Sequence, residues 1–189
     1  MALEKSWSGK LDGFFLSLTR KSFDQLGMGD QQVVEYVASV LTDFVRTDRL
    51  LAMRDAEGRR LTSVVEMLLA QIGPDSKARL FGERALRKYV GDYTLFMSGL
   101  FRTHVERRGY LDYYLEEGKR SYLALSTLDL SLYRPDFLLF EELGKGFEHY
   151  SGALDYMRKC FLGAGPNPDP FAGFLEQIEG WVRISLSGN

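Results

Sequence analysis

The chain has 189 residues, 45% of them hydrophobic and 13% aromatic, with a formal net charge of -2. This composition suits one globular domain and excludes a largely disordered chain, which would be poor in aromatic residues. The near-neutral balance gives no global attraction to nucleic acid or to an anionic membrane. The single cysteine, Cys160, excludes an intramolecular disulfide and fits a reducing compartment.

Residues 1–13 lack the apolar core of a signal peptide, and no apolar stretch approaches the ~20 residues that span a bilayer. A cytoplasmic protein is expected. Phe14, Phe15, Leu18, Ser22 and Leu26 read as one face of a first helix, closed by Gly27 and Gly29. Asp30 is placed to cap a second helix, whose stripe is Val33, Val37, Val40, Leu41 and Phe44. Thr62 is placed to cap a third, with Val64, Val65, Leu68, Leu69 and Ile72 on its apolar side and Gly73-Pro74 ending it. A fourth helical region covers about 75–101, with Gly82 or Gly91 as a candidate point of interruption, and a fifth about 110–131.

Phe140, Leu143, Phe147, Tyr150, Leu154, Met157 and Phe161 then recur at steps of three and four. That spacing keeps them on one side of a long sixth helix, about 135–162, and demands other helices to cover them. Cys160 reads as a small buried or half-buried member of this helix. Residues 164–170 form a Pro-rich linker. Phe171, Phe174, Leu175, Ile178, Trp181 and Val182 mark an amphipathic helix over 171–186, packed on the same domain or on a second subunit. No persistent apolar–polar alternation signals a strand. The expected fold is all-α: a single-domain bundle of six to seven helices over 1–163 with a long central helix.

The densest polar–aromatic region is 89–122. Gly91, Asp92, Leu95, Phe96, Gly99 and Phe101, followed by Tyr113, Tyr114, Gly118 and Tyr122, resemble the signature of an uncharacterised bacterial all-helical family: Gly-Asp-x-x-Leu-Phe, then Tyr-Tyr-x-x-x-Gly-x-x-x-Tyr. The resemblance covers about a fifth of the chain and implies a fold, with no activity attached.

The residues themselves carry few chemical motifs. Neither His104 nor His149 has a Glu three residues before it, and no His-Glu-x-x-His is present, so no metal is expected. No nucleophile elbow or phosphate-binding loop occurs, and no cofactor is expected. A helix-turn-helix forced onto 64–82 would carry Lys77, Arg79 and Arg84 on or after its second helix, but Gly82 soon interrupts that helix, so nucleic acid is not an expected partner. Asp92 is the one carboxylate set in a mostly apolar stretch. Buried, it needs a partner; exposed, it would simply pair with Lys88. The helical glycines 91, 99, 118, 144, 146 and 152 serve either close packing or room for a ligand.

Two functions follow. The leading one is a non-catalytic helical module that binds a protein partner or a second copy of itself. The alternative is a small-molecule-binding protein or enzyme with a polar–aromatic pocket. Its ligand-binding residues would be Asp92, Tyr93, Tyr113, Tyr114, Arg120 and Tyr122.

Overall fold

The structure, a computed structural model, describes residues 2–46, 76–163 and 173, 174, 176–178 and 180. Every regular element among the described residues is helical: α1 (Ala2–Gln25), α2 (Gln31–Arg46), α3 (Ser76–Leu100), α4 (Arg102–Arg107), α5 (Leu111–Ser131), α6 (Phe137–Lys145) and α7 (Phe147–Met157). A π-turn, Arg158–Leu162, extends α7. No described helix is long and apolar enough to cross a membrane. The helix expected over 62–72 and the linker at 164–170 lie outside the described residues.

Local signals set the helix ends. Gly27 takes a left-handed conformation, and the Met28 and Gly27 N–H groups donate back to the carbonyls of Phe23 and Asp24. This double bond pattern closes α1. Asp30 Oδ1 accepts the Val33 N–H at 3.0 Å and caps α2. The buried face of α1 runs through Leu11, Phe15, Thr19, Ser22 and Phe23. It is rotated from the expected face, because Leu26 lies past the end of the helix and is exposed.

The C-terminal half of α3 is the interior of the bundle: every residue from Val90 to Phe101 is buried. α3 runs antiparallel to α5, with Arg84 beside Asp129, Gly91 beside Tyr122 and Thr94 beside Gly118. α7 crosses α3, and α1, α2 and α6 complete the shell. The glycines serve this packing. A Cβ on Gly91 would stand 2.7 Å from the Tyr122 ring, and one on Gly99 would stand 2.5 Å from Leu154. One on Gly118 would overlap Phe147 and come within 2.5 Å of Thr94 Oγ1. Gly152 alone of the six helical glycines faces open space.

The region expected as one long helix over 135–162 is helical from Phe137, in two helices that break at Gly146. Six stripe residues, Phe140, Leu143, Phe147, Tyr150, Leu154 and Met157, are buried. Phe161 is not fully buried. The π-turn inserts one residue, which shifts the stripe so that Leu162 takes the inward position. Phe161 is displaced to the flank, where its ring lies under the Lys21 ammonium and edge-on to Tyr156. The same shift turns Cys160 outward: it is exposed rather than buried. Phe174 and Ile178 are buried in the same core. Phe174 packs edge-on against Phe96 and Phe101 and beneath the Arg158 guanidinium.

Candidate functional site

Asp92 lies on α3 with only 7% of its surface exposed. Its Oδ1 accepts two phenolic hydroxyls, from Tyr36 on α2 at 2.6 Å and from Tyr122 on α5 at 2.9 Å. Its Oδ2 accepts the Lys88 ammonium, one turn earlier, at 2.7 Å. The choice between a buried carboxylate with a tyrosine partner and a surface pair with Lys88 therefore resolves into both at once. Lys88 also sits over the Tyr36 ring, 4.9 Å from its centroid. Phe140 of α6 completes the wall, stacked on Tyr122 at 6.0 Å and edge-on to Tyr36 at 5.4 Å.

The electrostatics hold this arrangement in one protonation pattern. Burial, and then the negative charge of Asp92, push the Tyr36 and Tyr122 phenols well above the usual tyrosine range. Both phenols remain protonated donors at any physiological pH. Three charge-assisted bonds thus converge on one carboxyl group. Both carboxyl oxygens are engaged from within the fold, and Tyr122 fills the space that Gly91 leaves. The arrangement ties three helices together.

The other expected site residues go elsewhere. Tyr93 is next to Asp92 in sequence and so points some 100° away around the helix. Its ring packs against Phe44, stacks on Tyr89 at 6.2 Å and meets Tyr114 at 6.1 Å. Burial raises both the Tyr93 and the Tyr114 phenol above the usual range. Tyr113 is partly exposed beside Tyr114. Arg120 is largely exposed and binds Glu117 at 3.0 Å. A single pocket around Asp92, Tyr113, Tyr114 and Arg120 is therefore not assembled: Tyr122 alone of the expected tyrosines reaches Asp92.

Sequence reasoning misses Tyr36, the second donor. It also misses two further buried carboxylates on the α3–α5 seam. Asp129 receives a bidentate fork from Arg84, at 2.5 and 2.8 Å, with Arg134 at 3.7 Å. Glu117 is held by Arg120 and, at 3.5 Å, by Arg87. A signal is present: Arg84, Lys88 and Asp92 recur at steps of four on α3, and Tyr122 and Asp129 stand seven apart on α5. Such spacings place charges on one helix face.

Among the described residues no cluster of His, Cys, Asp and Glu could hold a metal ion. His149 is exposed. Comparison with family models, with curated proteins and with solved structures gives no match to this chain.

Proposed function

We propose that this chain is a non-catalytic interaction module, and that the elbow between α5 and α6 is the face that engages a protein partner. The observation that carries the proposal is Tyr133. It is 97% exposed and adopts a left-handed backbone with φ of 54°, the one non-glycine residue to do so among those described. It occupies the position after the α5 terminus where helices favour glycine: the Tyr133 N–H donates to Leu130 and the Arg134 N–H to Asp129. A bulky residue there strains the backbone by ~1–2 kcal/mol. Strain of this kind persists at sites where the side chain serves a purpose outside the fold. On the two helices that it joins, Leu130 is 55% and Leu138 59% exposed. An aromatic anchor flanked by exposed leucines is the anatomy of an interface centre.

Three such side chains cannot supply the roughly 800 Å² per partner of a standard interface. The contact is therefore a small or transient one, read as made with a protein of different sequence whose apolar pocket accepts the Tyr133 ring. The Asp92 network supports the same reading from the other side, since its polar atoms are occupied from within the fold.

A photo-crosslinking residue at position 133, compared with one at exposed Glu148, tests the proposal in the protein's own host. A discrete adduct with another protein, specific to position 133 and lost in Leu138→Asp, is the expected result. An adduct with a second copy would replace the heterologous reading with self-association. Equal labelling at both positions would overturn the elbow as an interface.

A further inference from the structure

The elbow that Tyr133 marks also carries a cation that the fold barely uses. Arg134 follows Tyr133 directly. Among the described residues the carboxylate within ion-pair reach of it is Asp129, which is fully buried. Arg84 already engages both oxygens of Asp129, in a fork at 2.5 and 2.8 Å. Arg134 Nε stands 3.7 Å from Oδ1, outside hydrogen-bond distance, and its side chain is 43% exposed. The guanidinium of Arg134 makes no side-chain hydrogen bond among the described residues. If it turned away, Asp129 would keep its fork and no buried charge would be left unpaired.

The backbone of Arg134 is fixed all the same. Its N–H donates to the Asp129 carbonyl at 2.9 Å, in the turn that holds Tyr133 at positive φ. The turn therefore presents a phenol ring and a guanidinium at successive positions, the first strained and the second uncommitted. Asp136, at the start of α6, is exposed and makes no cap bond to the helix. It forms no ion pair with Arg134.

We infer that Arg134 is the second anchor of the elbow, and that the partner protein presents an aspartate or glutamate carboxylate beside the apolar pocket that takes Tyr133. The inference rests on the elbow being the interface. Open to water, a guanidinium gains little from a carboxylate. Next to an apolar contact that excludes water it gains more, and its planar fork matches the two carboxylate oxygens. Tyrosine and arginine are also the side chains that dominate interface energies. A second copy of the chain would have Asp136 to offer in place of a foreign acid, so the sign of the Asp136 effect separates the two.

Urea unfolding is the first measurement, since it needs no partner. Arg134→Gln should leave the midpoint unchanged, whereas Arg84→Gln, which strips buried Asp129 of its fork, should lower it. Equal falls would make Arg134 a structural partner of Asp129 and overturn the inference. The second measurement uses a benzophenone side chain at position 133, crosslinked in the protein's own host. Arg134→Gln should cut the yield of the adduct by about tenfold, and Arg134→Lys, which keeps the charge without the fork, by about threefold. Lys145→Gln removes the same charge at the far end of α6 and should leave the yield unchanged. Asp136→Asn should not lower it, because the lost charge is one that repels an incoming carboxylate. An adduct whose yield ignores Arg134→Gln would leave the elbow standing and overturn this inference alone. Equal losses in Arg134→Gln and Lys145→Gln would reduce the effect to net charge and overturn it too. A fall in Asp136→Asn would assign the acid to a second copy and overturn the foreign carboxylate. No adduct at all in the parent chain would remove the elbow as an interface, and this inference with it.

Discussion

Replacing Asp92 with alanine should destabilise the protein by ~3–5 kcal/mol. The magnitude comes from what the substitution leaves behind. Tyr122 is fully buried and Tyr36 largely so, and each donates its proton to Oδ1. A buried hydroxyl deprived of its acceptor costs ~1–3 kcal/mol. Lys88 adds little, because its side chain is 37% exposed and an ion pair so open to water contributes ~0–1 kcal/mol. Asp92→Asn keeps a carbonyl oxygen for both phenols and loses only charge assistance and the lysine, so it should cost ~1–2 kcal/mol. Adding Tyr122→Phe to Asp92→Ala removes one orphaned hydroxyl and should recover part of the loss, a non-additivity that a double-mutant cycle measures. Urea unfolding with an unchanged slope is the assay. If Asp92→Ala cost under 1 kcal/mol or stabilised the fold, the carboxylate would be behaving as a functional group held at the fold's expense, and its role as a tie between three helices would be refuted.

Gly118→Ala should cost ~1–3 kcal/mol through overpacking, since its new methyl would overlap the Phe147 ring; Phe147→Leu in the same chain should relieve part of the clash, and thermal melts of the three variants decide it. Tyr133→Gly should stabilise the fold by ~0.5–1 kcal/mol in urea by releasing left-handed strain, while removing the interface anchor; a destabilised variant would show that Tyr133 is held by its own fold. The alkaline limb carries a third test. Tyr36 and Tyr122 have pKa values raised in the folded state, so the native protein holds protons that the unfolded chain releases near pH 10. Stability is complete below that pH and falls above it, by ~1.4 kcal/mol per pH unit for each phenol. Tyr36→Phe should roughly halve the part of the slope due to this pair, and an unaltered slope would refute its assignment.

The parts of the fold legible in the sequence are those set by short-range rules. The Gly27 stop, the Asp30 cap and the stripes of α2 and of residues 140–157 depend on neighbours within a turn or two, and they stand in the structure where the spacing puts them. Phe161 and Cys160 escape the pattern for a definite reason: a π-turn adds one residue, and no composition signal marks the insertion. The Asp92 site is half legible. An acid among aromatics advertises a need for partners, but Tyr36 lies 56 residues away on a helix whose only obvious pattern is its apolar stripe. Grouping Tyr113, Tyr114 and Arg120 with Asp92 follows proximity in sequence, whereas helical phase sends Tyr93, and with it Tyr114, to a different face of α3.

The convergence of two tyrosines and a lysine on one carboxyl group has an evolutionary consequence. Replacement of Asp92 by a residue without a side-chain oxygen passes through a state with two buried hydroxyls unpaired. That step costs a sizeable share of the ~5–15 kcal/mol that keeps a domain folded. Drift should therefore preserve the set whole or exchange it whole for apolar residues, since removing both partners of a buried bond is far less costly than removing one. Distant descendants of the same ancestor, too diverged for ordinary alignment, would then be recognised by an all-or-none pattern: tyrosine on the second helix, aspartate eight residues after an arginine on the third, and tyrosine seven residues before an acid on the fifth.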